Sequence, residues 1–565
     1  MHRNGIKSLG TFLVEPQFAG IERILERSED GRGNASYPVA DQLIKMAKTC
    51  GFDGYLINLE KTFPIFKWNL LHLIGFLTQL RLALGEGNVI WYDALGIENS
   101  INYQNGVTDL NVSLAQAAGA IITNYKWTPE LVQSSQELAL SYGLKPCNVI
   151  FGVDIWAQNT SFDGPRRKTW PYPGGGGTGT GRAVAKLAEY GVSSGLFAPA
   201  WSYEHFSSKQ EAIEKTMWNG EPLPEVITCA CQPSEVHDVS FYRNFPVLRS
   251  ALEAPAGSKS FFYTDFSPAF RHHDGGNTAR LGSQSVLPHR FASEHQDPLA
   301  FETGSGGSLQ VQLDTDLIKS SVVRSVHERK LFSLHMHDAR TLEARICFSK
   351  QETPSHMQVK IVMNGTGMSW KVPQQSIERT TIILPLFEPG SRALASEGLV
   401  LTGLTVVVEM SRGLGGSTAN PTTVLELHTI YISSRGELDH DKHYDIRDLK
   451  HEPLQGSGRT DLILSWSLIF SPTDGRAVPC STVTGPFEHF DVISDGLFSL
   501  RLNACQARLS QELQDKLDER PNAVIAINGY GFDGTLLCQR QAVWRDMMEH
   551  AGDWHMVDSP VKPPK

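Results

Sequence analysis

Up to about residue 270, short apolar runs alternate with windows that have the apolar spacing of amphipathic helices. The helical windows include Val39–Lys48, Pro129–Tyr142 and Arg182–Tyr190. Strands that alternate with helices favour an α/β fold with a parallel sheet, open or closed. The apolar runs predict seven strands, one short of a (β/α)8-type TIM barrel: Ser8–Val14, Gly54–Leu59, Asn88–Tyr92, Ala120–Thr123, Asn148–Val153, Ser194–Ala198 and Ser260–Phe266.

From about residue 300 the pattern changes to β-type runs separated by Gly, Ser and Pro, which is typical of β-sandwich domains. A polar connector at 435–456 precedes another strand series that starts at Asp461–Phe470. We therefore predict a (β/α) barrel over residues 1–295, a carbohydrate-binding-like β-sandwich over 300–435 and a second small β-rich domain over 436–565. The predicted sandwich runs are Leu309–Leu313, Glu343–Phe348, Gln358–Met363, Thr380–Leu384, Leu399–Val408 and Leu425–Ile432.

Composition is that of an ordinary globular chain, with 41% hydrophobic and 20% charged residues among 565. The formal net charge of −10 gives no support for a nucleic-acid or anionic-membrane partner. The longest apolar run, about Leu70–Leu84, is interrupted by Gln79 and Arg81 and is too short to span a bilayer. It predicts a buried helix, and we expect neither a nucleic-acid nor a membrane partner.

The cysteines and the start of the chain indicate the compartment. Eight scattered cysteines are typical of reduced thiols rather than of a disulfide framework. Cys229 and Cys231 have no second pair at zinc-site spacing. The first residues lead into a strand-like run, without the apolar region of a signal peptide. We expect a cytoplasmic protein that needs no metal or other cofactor.

The most informative residues are Asn58 and Glu60, which end the apolar run Gly54–Leu59. Side chains at i and i+2 of a strand point to the same face, so both would project from the carboxyl end, where barrel enzymes carry their chemistry. Most glycosidases use two carboxyl groups, whereas here one partner is an amide. An amide could instead orient the 2-acetamido group of a sugar whose carbonyl oxygen attacks C1, while Glu60 serves as acid and then base. The simpler alternative is a core strand that ends in an arbitrary polar pair.

Groups suited to sugars recur at the ends of the other predicted strands. Aromatic faces can stack on pyranose rings, and Asp and Asn side chains can hydrogen-bond hydroxyl groups. Each aromatic residue taken alone is also compatible with a place in the core. The candidate substrate-binding residues that follow these strands are Trp91, Asn124, Trp127, Asp154, Trp201, Tyr203 and Tyr263.

These strand-end motifs resemble glycoside hydrolase family 85, the cytosolic endo-β-N-acetylglucosaminidases. The resemblance covers residues 2–270 and is carried by Gly51–Glu60, Val89–Asp93, Thr123–Trp127, Phe151–Asp154 and Leu196–Trp201 in this order. It implies cleavage of the GlcNAc-β-1,4-GlcNAc core of N-glycans, glycopeptides or free oligosaccharides. Net retention by an oxazoline route is implied, with transfer to sugar acceptors in some members.

The resemblance also implies roles for individual positions. Asn58 would position the acetamido group, Glu60 would be the acid/base, and Tyr92 would support the reacting centre. Trp127 and Trp201 would line the sugar cleft. Tyr103 stands where relatives usually have tryptophan, which implies a smaller stacking surface. The family also has a barrel strand before the part that matches His2–Pro16, so we expect an N-terminally shortened barrel without its first strand.

Three alternatives remain open at the level of sequence. Family 18 chitinases share the first Asp and the Glu of their strand-end motif with Asp53 and Glu60, but Leu56 and Asn58 replace their two intervening acids. A conventional two-carboxylate glycosidase could pair Glu60 with Asp93 or Asp154. The shortened barrel could also belong to a non-catalytic glycan-binding protein.

Overall fold

A computed structural model gives the fold. It describes residues 1–549 apart from 30–34, 158–168, 172–174, 207–208, 223–245, 260, 269, 273–277, 281–284, 289–296, 305–306, 319–323, 338, 340, 352–354, 375, 387–398, 412–420, 435–443, 454–461, 471–476, 479–486, 503, 521 and 533–535. The chain forms two compact units. An α/β unit is built from Lys7–Glu253, and a β unit is built mainly from Ala254–His289 and Asp297–Lys565.

The α/β unit contains a six-stranded parallel sheet with the order β1-β4-β5-β6-β7-β8. Its strands, with the antiparallel ribbon β2–β3, are β1 Leu9–Val14, β2 Ser28–Glu29, β3 Ala35–Ser36, β4 Gly54–Leu59, β5 Val89–Tyr92, β6 Ile121–Ile122, β7 Val149–Asp154 and β8 Ser193–Phe197. Its helices are α1 Pro38–Cys50, α2 Leu70–Leu84, α3 Val112–Ala118, α4 Pro129–Ser141, α5 Thr180–Glu189, α6 Trp201–His205 and α7 Gln210–Asn219. Sequential parallel order brings the carboxyl ends of all six strands to one edge.

Local sequence signals explain where these elements begin and end. Helix α4 starts at a Thr128 cap, whose hydroxyl accepts the Leu131 N–H, with proline in the first turn. Helix α1 ends at Gly51, which takes the left-handed conformation with φ of 74°. Strand β4 lies between β1 and β5, and its alternate residues Tyr55, Ile57 and Leu59 are at most 3% exposed. The opposite face of β4 therefore carries Asn58 toward the edge where the strands end.

The β unit has two hydrophobic cores. Two sheets pack around the first core, and further sheets pack around the second core. The six-stranded and four-stranded sheets of 262–434 share one buried cluster, a sandwich arrangement, and a second cluster lies within 444–544. The strands are β9 Phe262–Thr264, β10 Phe270–His272, β11 Thr278–Arg280, β12 Leu299–Gly304, β13 Ser308–Leu313, β14 Arg324–Met336, β15 Leu342–Lys350, β16 Met357–Asn364, β17 Met368–Lys371, β18 Ser376–Pro385, β19 Leu401–Ser411, β20 Thr422–Ser434, β21 Tyr444–Pro453, β22 Leu462–Phe470, β23 Ala477–Val478, β24 Phe487–Ser494, β25 Leu497–Leu502, β26 Gln506–Leu509, β27 Val524–Gly531 and β28 Leu536–Val543. Its helices are α8 Gln511–Asp518 and α9 Trp544–Glu549.

The α/β class with a parallel sheet is confirmed, and six of the seven predicted barrel strands lie in that sheet. The seventh assignment is wrong. Within Ser260–Phe266 the structure forms β9, which pairs antiparallel with Ile430–Ile432 of β20 in the β unit. This short apolar strand is a partner for the long sandwich strand instead of an addition to the parallel sheet. The described residues therefore form a six-stranded parallel sheet and not a closed eight-stranded barrel.

Among the helices of the described residues, none combines the length and apolar character needed to span a bilayer. The run Leu70–Leu84 is helix α2, and its buried face is formed by Leu73, Phe76, Leu77 and Leu80.

Candidate active site

Asn58 and Glu60 face each other at the carboxyl end of β4. The Asn58 amide nitrogen Nδ2 donates to Oε1 of Glu60 at 3.0 Å, and both side chains are half-buried. The Glu60 backbone N–H donates to the Val14 carbonyl at 2.9 Å, which fixes the start of the following loop on β1. The Asn58 nitrogen thus faces Glu60, and the oxygen of the same amide points away from it.

That oxygen is the unusual atom of the pair. Oδ1 of Asn58 is buried and has no hydrogen-bond partner within the described part of the chain. A buried acceptor without a donor costs about 1–3 kcal/mol, so such atoms are rare in a stable fold. The arrangement therefore leaves an acceptor ready for an N–H group that none of the described residues supplies.

Three tyrosines surround this pair. Tyr92 ends β5, and Tyr103 packs edge-to-face on it with ring centroids 6.1 Å apart. The Tyr92 hydroxyl donates to Oδ1 of Asn124 at 3.4 Å. Burial, followed by the neighbouring Tyr125, raises the pKa of Tyr92 well above its ordinary value. The phenol is therefore a neutral hydrogen-bond donor at physiological pH.

The other two phenols respond to the carboxyl groups of the site. Burial raises the pKa of Tyr103, and the charge of Glu60 and a hydrogen bond to it raise that pKa further. Burial raises the pKa of Tyr125 to about 12, with smaller contributions from Asp154 and Glu60. These effects place Tyr103 and Tyr125 within electrostatic reach of Glu60.

Asp93 directly follows Tyr92 in the chain and is only 2% exposed. Its Oδ1 accepts from Nδ2 of Asn111 at 3.0 Å and from the Gln104 N–H at 3.2 Å. Its Oδ2 accepts from the N–H of Asn105 at 2.6 Å and of Asn124 at 3.4 Å. Because both oxygens are occupied, Asp93 connects the loop after β5 to the end of β6, and this gives no support to Asp93 as a second catalytic carboxylate.

Asp93→Asn is expected to lower the free energy of unfolding by about 2 kcal/mol, the cost of donors left without an acceptor. Whichever way the new amide is oriented, its NH2 group faces two N–H donors. Burial raises the pKa of Asp93 to about 6 despite four hydrogen bonds that lower it. Its contribution to stability is thus largest below the ordinary value of 3.8 and falls as pH rises to about 6.

Chemical denaturation of both proteins between about pH 4 and pH 7 measures this contribution. The difference in free energy of unfolding between wild type and Asp93→Asn should decrease as pH rises through this window and stay constant above it. A gap that widens with rising pH would show that the four hydrogen bonds outweigh burial.

The structure puts three of the predicted sugar-binding tryptophans in the core. Trp91, Trp127 and Trp201 are 0%, 2% and 2% exposed. Trp127 stacks on Trp170 at 5.3 Å, and its indole N–H donates to the Gly152 carbonyl at 2.8 Å. Trp201 packs edge-to-face on Phe206 at 5.1 Å. In this structure these rings have no open face for a sugar, because apolar burial dominates their placement.

The remaining predicted residues are distributed unevenly. Asn124 and Asp154 lie at the ends of β6 and β7, and the backbone N–H of Trp156 donates to Oδ1 of Asp154 at 3.0 Å. Tyr103 and Tyr203 are 36% and 61% exposed, so both side chains are partly accessible to solvent. The assignment of Tyr263 to this site is not supported, because it lies on β9 in the β unit.

Tyr263 has its own partners in that unit. Its ring stacks on Phe532 with centroids 4.5 Å apart and meets Tyr431 edge-to-face at 6.0 Å. The strand that carries it pairs with β20. Tyr263 therefore belongs to an aromatic cluster of the β unit.

Two residues of the site, Tyr125 and Gly152, were not among the residues predicted from the sequence. Tyr125 contacts Phe197 at the end of β8 with ring centroids 5.4 Å apart. Its ring packs against Gly152, where an added Cβ would come within 2.8 Å of the ring. Its position directly after Asn124, at a strand end, was the available signal. The need for glycine at 152 is not visible in the sequence pattern.

Within the described ranges, no three His, Cys, Asp or Glu side chains come together in a way that could hold a metal ion. Cys229 and Cys231 lie outside the described residues.

Residues 1–273 match the family model described as glycosyl hydrolase family 85. The cytosolic endo-beta-N-acetylglucosaminidase of Gallus gallus is 31% identical over 220 residues, which cover 38% of this chain and 28% of the relative. The protein of the same name from Homo sapiens is 29% identical over 210 residues, covering 37% and 26%. Cytosolic endo-beta-N-acetylglucosaminidase 1 of Arabidopsis thaliana is 30% identical over 207 residues, covering 36% and 28%. The chain therefore spans less than a third of the length of these curated relatives.

A likeness in fold extends further along the chain. The glycoside hydrolase domain of Spr0440, Endo-D from Streptococcus pneumoniae R6, aligns with a TM-score of 0.50 at 15% identity, covering 96% of this chain and 83% of that one. At this identity the likeness concerns the fold alone. Because it covers 96% of this chain, it extends into the β unit.

Proposed function

We propose, because residues 1–273 match the family model of glycosyl hydrolase family 85, that this protein is a cytosolic endo-β-N-acetylglucosaminidase acting on the GlcNAc-β-1,4-GlcNAc core of N-glycans. The names of its relatives support both the activity and the compartment. The sequential parallel sheet, which brings its strand ends to one edge, supports a (β/α)-barrel-like catalytic scaffold.

The observation that carries the proposal is the buried, unpartnered Oδ1 of Asn58 beside Glu60. In the first step the 2-acetamido carbonyl oxygen of the substrate attacks C1, and the C1–O bond to the second GlcNAc breaks. The carboxyl proton of Glu60 passes to the departing oxygen. The acetamido N–H becomes acidic as positive charge develops, and it donates a hydrogen bond to Oδ1 of Asn58 while the proton stays on nitrogen, so the intermediate is an oxazolinium ion. The acetamido group of the substrate is thus bound more strongly in the transition state than in the ground state.

In the second step water adds to C1 of the protonated oxazoline (oxazolinium) intermediate. The Glu60 carboxylate takes a proton from the water, the C1–O bond of the ring breaks, and the acetamido group is restored. Two inversions at C1 give net retention of configuration. A sugar hydroxyl in place of water would give transglycosylation.

The tyrosines complete the site. Tyr92 and Tyr103 are neutral donors with raised pKa values, and Tyr103 interacts with Glu60 directly. The partly accessible side chains of Tyr103 and Tyr203 can stack on sugar rings. Asn124 and Asp154 can accept sugar hydroxyls at neighbouring strand ends.

The proposal is tested by incubating the protein with a high-mannose glycopeptide and analysing the products by mass spectrometry. The expected products are a peptide that keeps one GlcNAc and a glycan with one reducing GlcNAc. Well-folded protein that yields neither product overturns the proposed activity. Micromolar glycan binding without turnover would then favour a non-catalytic glycan-binding protein. Cleavage of a matched substrate without the 2-acetamido group would favour a two-carboxylate mechanism.

A further inference from the structure

Asp93 connects the two segments that carry the phenols and amide beside Glu60. Gln104 and Asn105, whose backbone N–H groups it accepts, directly follow Tyr103 in the chain. Asn124, its third backbone donor, accepts the Tyr92 hydroxyl through its side chain. One buried carboxylate therefore holds partners of both Tyr92 and Tyr103.

Neighbouring contacts make this connection rigid. Nδ2 of Asn111 also donates to the Gly106 carbonyl at 2.8 Å, and its Oδ1 accepts the Thr108 N–H at 2.9 Å. Asn105 takes a left-handed conformation with φ of 58°, and its Oδ1 accepts the Lys126 N–H at 3.0 Å. The loop after β5 is thereby attached to the segment after β6 on both sides of Asp93.

We propose that Asp93 is a positioning residue for catalysis: its two carboxyl oxygens hold the 102–106 loop, so that Tyr103 stays packed on Tyr92 with its hydroxyl toward Glu60. The inference rests on the proposed function, and it assigns a role to a residue with no open path to substrate. Asp93 acts only through Tyr103 and Asn124. Loss of one of its acceptor oxygens frees the loop and separates Tyr103 from the acid/base.

A double-mutant cycle tests this role. In wild type, Tyr103→Phe should lower kcat about tenfold, an effect within the coupling range of contacting groups. In Asp93→Asn, kcat should already be lowered to a similar extent, with little change in KM. Adding Tyr103→Phe to this variant should lower kcat further by less than about twofold. Asp109, which is exposed in the same loop, is the matched control. In Asp109→Asn, Tyr103→Phe should retain its full effect.

Assays are performed well below the unfolding temperature of each variant, so that lost stability does not reduce the amount of folded enzyme. Additive losses in the Asp93→Asn background would overturn the positioning role, as would an unchanged kcat in Asp93→Asn. Asp93→Glu keeps a carboxyl group. In this background Tyr103→Phe should again lower kcat, by part of its full wild-type effect.

Hydrogen exchange separates this inference from the proposed function, because it needs no turnover. The amides of residues 104, 105 and 124 should be protected in wild type and in Asp109→Asn, and should exchange much faster in Asp93→Asn. Unchanged protection in Asp93→Asn would overturn the role of Asp93, whether or not glycans are cleaved. Faster exchange in Asp93→Asn together with a wild type that cleaves no glycan would instead leave Asp93 as the loop anchor and count against the enzyme assignment alone.

Discussion

Glu60→Gln is expected to lower kcat on an intact N-glycopeptide by about 10³-fold, within the range that general acid–base catalysis contributes. The amide can neither protonate the departing GlcNAc oxygen nor take a proton from the attacking water. Its carbonyl oxygen can still accept the Asn58 amide N–H, so the local geometry should remain. Initial rates of GlcNAc-peptide release at saturating substrate measure the effect, and a glutamate on the exposed face of α4 provides a matched control, Glu137→Gln.

The proton transfers can be separated with a substrate that needs less help from an acid. An activated aryl glycoside has a leaving group that departs without full protonation, so Glu60→Gln should lose less rate on it than on the glycopeptide. Glu137→Gln should retain wild-type rates on both. Near-normal hydrolysis of the glycopeptide by Glu60→Gln would remove Glu60 from the acid/base role.

The strand that carries this pair was predictable because its signal is local. The alternation of Tyr55, Ile57 and Leu59 with the polar face of β4 spans a few residues and depends only on the period of a strand. Glycine and proline at the ends of α1 and α4 are equally local signals. The same-face placement of Asn58 and Glu60 follows from this period without knowledge of any partner.

The sequence did not predict the contacts that depend on partners far apart in the chain. Whether Trp127 is a sugar platform or a core residue depends on Trp170 and Gly152, which come from other segments. The destination of Tyr263 depended on the pairing of its strand with β20, which an apolar run cannot encode. Asp93 has no sequence signature as an anchor, because three of its donors are backbone N–H groups.

These failures have a common physical cause. Aromatic side chains bury a large apolar area wherever the fold permits, and that gain exceeds what a partly open sugar platform would contribute to stability. Polar residues at strand ends are better guides, because burying them without a purpose is costly. This explains why the same-face placement of Asn58 and Glu60 was predictable while the burial of the nearby tryptophans was not.

Asn58→Ala is expected to lower hydrolysis of intact glycopeptide by about 10²–10³-fold, the scale for removing one preorganised group that stabilises developing charge. The lost group is the Oδ1 acceptor, which meets the acetamido N–H only as the oxazoline forms. Stability should change little or rise slightly, since the substitution also removes a buried oxygen that lacks a partner. The exposed side chain of Asn102, altered to alanine, serves as the control for losing an amide elsewhere near the site.

A preformed oxazoline donor gives the sharper readout, because it enters the reaction after the step that needs Asn58. Asn58→Ala should therefore keep a much larger fraction of wild-type rate on the oxazoline than on the glycopeptide, whereas Glu60→Gln should be impaired on both. The ratio of the two rates isolates oxazoline formation from its hydrolysis. Equal loss on both donors would mean that Asn58 does not act on the acetamido group, and the amide–carboxyl pair would then need another explanation.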